Sequence, residues 1–180
     1  SFAVLDHDGD GDPDLAVMAA RQAPQLRLFR NDFANRGSAL AVRLRGAPGP
    51  GPESWRSSRD AVGARVTVET DRLKRTKEVQ VGSGFISQHS KELLFGLGPS
   101  ERVVRLVVSW PSGRTQTFTG IPVNHRVRLE EGGEPQAEPF RAPATGPADP
   151  GPAARGGAPR ESWRFEPFPV PEPSLPDPAG

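Results

Sequence analysis

Gly63-Ala64-Arg65-Val66-Thr67-Val68-Glu69-Thr70 sets apolar and polar side chains at alternate positions. A β-strand turns successive side chains to opposite faces, so Ala64, Val66 and Val68 share one face while Arg65, Thr67 and Glu69 share the other. The expectation is a half-buried strand. The same alternation precedes it at Leu40, Val42 and Leu44, and returns at Val79 and Val81 after a charged turn around Asp71–Arg75. Further runs at Val103–Ser109, Thr115–Phe118 and Val127–Leu129 are separated by Gly-Pro-Ser, Pro-Ser-Gly and Gly-Ile-Pro segments that favour turns. Short strands at this spacing predict an all-β domain built as a small antiparallel β-sandwich or barrel. Trp110, Phe85 and Phe95 are its large core candidates, and Pro111-Ser112-Gly113 is expected to turn the chain back toward Thr115. Gly63, Gly82, Gly84, Gly96 and Gly98 suit turns, bulges or close backbone approach.

The flanks read differently. Leu15–Ala19 and Leu26–Phe29 suit buried strands of a short loop-strand-turn-strand unit that ends near Asn31-Asp32. Between Gly46 and Ser58 the insertion APGPGPESWRSS predicts an exposed loop, because proline cannot donate to a ladder and glycine resists ordering. From Glu134 the composition shifts to Pro, Gly and Ala, with too little apolar surface to offset chain entropy. Trp163, Phe165, Phe168, Val170 and Leu175 then restore large apolar groups, as suits a tail that docks on another surface. The resulting map has a first unit at 1–34, a β domain at 35–132 and a disordered Pro-rich linker or tail at 133–180.

Composition removes several function classes. The 23 basic and 22 acidic residues of the 180-residue chain nearly cancel, leaving +1, so no global field draws it to nucleic acid. Arg65, Arg72, Lys74, Arg75 and Lys77 form a basic stretch, but no aromatic is interleaved to stack a base and Glu69, Asp71 and Glu78 dilute it. A solvated strand face is the expected role. No run approaches the roughly 20 apolar residues of a membrane-spanning helix, and the first residues lack the zones of a signal peptide. Ser1 leads straight into apolar Phe2–Leu5, as expected of a chain with sequence upstream. Cysteine is absent, which removes disulfides, thiolate metal sites and thiol nucleophiles. No G-x-S-x-G elbow accompanies the three histidines, and Ser112 sits in a turn, so no catalytic residue is assigned. Val81–Gly84 lacks the lysine and following helix of a phosphate cradle.

One segment carries metal chemistry. In Asp6-His7-Asp8-Gly9-Asp10-Gly11-Asp12-Pro13-Asp14, carboxylates at alternating loop positions can converge on one hard cation. Side chains of Asp6, Asp8, Asp10 and Asp14, with the backbone carbonyl of Asp12, are the expected ligands. Gly9 and Gly11 would permit the curvature that turns the carboxylates inward. An all-oxygen cage of this kind favours Ca2+, which accepts six to eight oxygens, over magnesium, which keeps its waters. With Asp6 counted as loop position one, position twelve is Val17 rather than the glutamate of an EF-hand. His7 is expected to be an exposed spacer.

The loop runs into Leu15-Ala16-Val17-Met18, and together with LRLFRND at 26–32 it resembles the calcium loop and end of an FG-GAP or VCBS repeat of integrin-type β-propellers. The resemblance implies that the first unit is part of a propeller blade. Farther on, DAVGARV at 60–66, VGSGFISQHS at 81–90, LLFGLG at 93–98 and SWPSGRTQTF at 109–118 resemble, in order, the hallmarks of the ASPIC/UnbV domain of cartilage acidic protein relatives. That family occurs in extracellular or exported proteins, often after FG-GAP repeats. The resemblance implies a non-enzymatic calcium-binding adhesion or interaction module, secreted, periplasmic or at the cell surface, whose partner is a protein or polysaccharide. The alternative comes from PFPVPEPSLPDPAG at 167–180, which is similar to the lead-in of a thioredoxin-like domain. It implies a scaffold within a larger exported protein that carries a redox domain downstream.

Overall fold

The computed structural model describes residues 1–19, 25–31, 37–47, 57–84, 86–142 and 163–168. Phe85, residues 48–56 of the expected loop and most of the tail lie outside them. Strands without helix make up the described secondary structure: β1 (Phe2–Leu5), β2 (Asp14–Ala19), β3 (Gln25–Asn31), β4 (Ser38–Arg45), β5 (Arg65–Thr70), β6 (Lys74–Glu78), β7 (Leu93–Gly98), β8 (Val103–Ser109), β9 (Thr115–Phe118), β10 (His125–Glu130), β11 (Gln136–Pro139) and β12 (Trp163–Phe168). They form three four-stranded sheets, in the orders β1-β2-β3-β12, β11-β10-β4-β7 and β6-β5-β8-β9. The described part of the chain is therefore all-β.

The second and third sheets share one core. Leu40, Val42 and Leu44 of β4, Phe95 and Leu97 of β7, and Val127 and Leu129 of β10 join Val66 and Val68 of β5 and Leu106 and Val108 of β8 in a single buried cluster. Removing each such side chain from water contributes about 1.5–3 kcal/mol, which is why these strands alternate. Neither sheet closes on itself, so of the sandwich and the barrel the barrel is not formed. The antiparallel expectation also needs correction, because β4 and β10 pair in parallel, His125 opposite Leu40 through Glu130 opposite Arg45. The long stretch of chain between them supplies the crossover that a parallel pair requires.

Local chemistry explains the departures from simple alternation. Thr70 pairs with Val103 but Glu69 pairs with Arg105, so Val104 is bulged out and exposed while Leu106, Val108 and Trp110 regain the core face. Val79 is buried as expected, but Val81 is exposed and lies beyond β6. That strand consists instead of Lys74-Arg75-Thr76-Lys77-Glu78, so it takes in the end of the expected Asp71–Arg75 turn. As an edge strand with solvated side chains it needs no apolar alternation. The turn is tighter, with Thr70 Oγ1 accepting from the backbone N–H of Arg72 and Leu73 at 3.2 and 3.1 Å. Trp110 is buried; its Nε1 donates to Gln116 Oε1 at 2.8 Å across the hairpin, and Gly113 holds φ +88° at the turn. Ser112 Oγ, in that turn, donates to the Glu131 carboxylate.

Two further expectations change. Ser57, at the base of the insertion read as exposed, is buried. Residues 136–139, assigned to linker by composition, form β11 against β10, and 163–168 form β12 against β3. Composition could not reveal β11, whose four residues are all exposed and are ordered by backbone pairing, whereas the pairing of 163–168 with β3 agrees with the docking expected of the apolar end of the tail.

Candidate functional site, an acidic loop clamped to the sandwich

The loop between β1 and β2 is wound around its own carboxylates. Asp6 Oδ1 accepts from the Gly9 N–H at 2.7 Å and Asp6 Oδ2 from the Gly11 N–H at 3.2 Å. Asp8 Oδ1 accepts from Asp10 N at 3.4 Å, Asp10 Oδ1 from Asp12 N at 3.1 Å, and Asp14 Oδ2 from His7 N at 2.7 Å. Aspartates capture backbone donors in this way when the chain curves tightly, and Gly9 and Gly11 supply the curvature at φ +82° and +92°. Asp14 Oδ1 also takes the N–H of Asn31 at 2.8 Å, which ties the loop to the end of β3.

Of the five aspartates singled out from the sequence, Asp6, Asp8 and Asp14 each bring a carboxylate oxygen within 4.8 Å of the others. Asp10 and Asp12 are buried in the same loop but do not join that group. His7 is exposed. Burial lifts the carboxyls of Asp6, Asp8 and Asp14 above their ordinary 3.8, against the backbone donors that pull them down; for Asp8 the charge of Asp10 adds to the rise. Asp8 Oδ2 is buried and accepts no hydrogen bond, with Arg30 Nε 3.7 Å away. A carboxylate oxygen that already accepts one N–H keeps a lone pair for a cation. The donor set is all oxygen, concentrated and partly desolvated, and it fits one hard divalent ion.

The sandwich holds this loop through residues that sequence reading did not single out. Arg126 of β10 donates through Nη2 to Asp6 Oδ2 at 2.8 Å and through Nε to Glu92 Oε2 at 2.8 Å. The backbone N–H of Arg141 donates to Gly9 O at 2.9 Å. Phe140 packs so closely over Gly11 that a methyl group there would clash with its ring. β1 is held as well, with Ser90 N donating to Val4 O at 3.0 Å and Val4 N donating to His89 Nδ1 at 3.2 Å. No local pattern marks these partners, since each is distant in sequence from the loop it touches. Between β1 and the β4–β7 edge lies a cleft of about 660 Å3, mostly apolar and lined by Val4, Leu5, His89 and Leu94 among others.

Three of the four segments meet in one core: DAVGARV at the entry to β5 supplies Ala61, Ala64 and Val66, LLFGLG on β7 supplies Leu93, Phe95 and Leu97, and SWPSGRTQTF on the β8–β9 hairpin supplies Trp110, with Phe118 packed against it, whereas VGSGFISQHS precedes β7 and exposes Val81 and Ile86. Residues 53–136 match the ASPIC and UnbV family model. The ASPIC/UnbV match covers β5 to β10 and reaches the first residue of β11. β4 lies outside it, although β4 is an inner strand of the sandwich, and so do the acidic loop and β12. No curated protein matches the chain. No helix among the described residues is long and apolar enough to cross a membrane.

Proposed function

We propose that this chain is a non-enzymatic interaction module of an exported protein, stabilised by calcium bound at the Asp6–Asp14 loop. The observation that carries the reading is the convergence of the Asp6, Asp8 and Asp14 carboxylates on a loop clamped to the sandwich by Arg126, Phe140 and Arg141. Calcium supplies charge here rather than chemistry: bound, it offsets carboxylates that folding concentrates and stiffens the loop. Asp10 and the Asp12 carbonyl complete the proposed ligand set. The likeness of this loop to FG-GAP and VCBS repeats supports calcium and a blade-like role for the first sheet. The ASPIC/UnbV match supports a secreted, periplasmic or cell-surface setting, with a protein or polysaccharide as the adhesion partner.

Isothermal titration of the intact chain with calcium tests the reading. Uptake is expected in the parent and absent in the Asp8→Ala, Asp10→Ala double variant, whose far-ultraviolet spectrum should keep the β signature of the sandwich. Heat identical in the two proteins would remove the loop from the function.

A further inference from the structure

β12 lies along β3 in an antiparallel register that sets Arg164 opposite Arg30, Glu166 opposite Leu28, Pro167 opposite Arg27 and Phe168 opposite Leu26. A proline cannot donate, so whether this register is chemically sound depends on which way the backbone of Pro167 faces. The first sheet answers that strand by strand. Ser1 and Met18 exchange both of their bonds, Ser1 N to Met18 O at 3.2 Å and Met18 N to Ser1 O at 2.9 Å, so Met18 turns its backbone toward β1. Antiparallel strands alternate at every residue. Leu15 and Val17 therefore face β3, opposite Phe29 and Arg27. The N–H of Asn31 follows the same parity, since it is given to Asp14 at the start of β2.

What remains on the outer edge of β3 are the backbone groups of Leu26, Leu28 and Arg30, and they meet Phe168, Glu166 and Arg164. Pro167 falls opposite Arg27, in a pair that exchanges no bonds, so its missing N–H costs the ladder nothing. A slip of one residue would turn Pro167 into the ladder and forfeit a bond. The proline thus specifies the register.

From this match we infer that the outer edge of β3 is a strand-acceptor site, and that Trp163–Phe168 is the ligand it holds, bound in cis by β-augmentation. Such an edge selects an extended segment whose proline falls at a position that donates no bond. Recognition is through the backbone, with the proline setting the frame. The site takes its strand from this chain's own tail, which clasps the first sheet after the sandwich has been completed.

Residue-resolved hydrogen exchange on the full chain and on Glu166→Pro tests the assignment. In the parent, the Leu26, Leu28 and Arg30 amides are expected to be protected. In Glu166→Pro, these three should exchange roughly tenfold faster or more, while Arg27 and Phe29, bonded to β2, keep their rates. A synthetic peptide of residues 161–170 added to the variant should restore the three amides, and a scrambled peptide should not. Unchanged protection in Glu166→Pro, equal loss at all five amides, or failure of the peptide to restore protection would each overturn the proposal.

Discussion

Arg126 Nη2 lies 2.8 Å from Asp6 Oδ2, in a pair whose side chains are only 20% and 4% exposed. The same guanidinium neutralises Glu92, so it is the counter-charge of two partly buried carboxylates from two parts of the fold. Removing one member of a buried pair strands the other and costs about 3–5 kcal/mol; partial exposure of Arg126 reduces this to about 2 kcal/mol. Arg126→Met should lower the denaturant midpoint accordingly when measured in chelator. With calcium present the loss should shrink, because the ion takes over part of the compensation of Asp6. Equal losses in both conditions would contradict a shared role at Asp6.

The raised carboxyls of the loop give a pH dependence with a definite sign. Asp6, Asp8 and Asp14 hold protons more tightly folded than unfolded, where their value is near 3.8. Their contribution to stability is thus greatest below 3.8 and is lost as pH rises through their higher folded values. Melting in chelator, compared between the parent and the triple variant Asp6→Asn, Asp8→Asn, Asp14→Asn, isolates this component. The parent should gain on its variant as the pH falls from neutrality toward the carboxylate range. Calcium affinity should move the other way, since protons and the cation compete for the same oxygens.

Trp110 closes the sandwich core, with its indole N–H satisfied by Gln116. Truncation of a buried aromatic costs about 3–5 kcal/mol, a large part of the roughly 5–15 kcal/mol that holds a domain of this size. Trp110→Ala should unfold the protein or lower its melting temperature severely. Val104→Ala, on β8, which leads into Trp110, but bulged outward, should melt within a degree or two of the parent. Similar melting of the two variants would show that Trp110 is not a core anchor.

Gly11 meets two constraints at once, a φ of +92° and the Phe140 ring where a side chain would begin. The backbone strain alone costs on the order of 1–3 kcal/mol in a residue with a β-carbon. Gly11→Ala should therefore destabilise the loop and its contact with the sandwich. In the double variant with Phe140→Ala the loss should be less than the sum of the single losses, because the ring no longer obstructs the methyl group. Strict additivity would show that the loop and Phe140 do not meet in solution.

Where local chemistry decides, sequence and structure agree residue by residue. Val103–Ser109 and Thr115–Phe118 have the same bounds in both, because each is a short run of residues suited to strands set between turn residues, a signal carried within the segment itself. β6 is illegible for the complementary reason: an edge strand with solvated side chains carries no apolar period, and its first residues, Lys74 and Arg75, read as part of a turn. β11 was missed because Gln136-Ala137-Glu138-Pro139 is held by pairing with β10 and buries little.

The sequence by itself determined that the chain is built of strands, that its Asp6–Asp14 segment concentrates carboxylates around two glycines, and that Trp110 and Phe95 stand among the apolar positions. Each of these follows from side-chain periodicity or backbone freedom within a few residues. Only the tertiary structure decided that β4 and β10 run in parallel, that β12 returns to β3, and that Arg126 reaches Asp6 across 120 positions of chain. Those choices are made by burial of a shared core and by hydrogen bonds between distant backbones. Such energies depend on which segments meet, and no local window of sequence contains both partners.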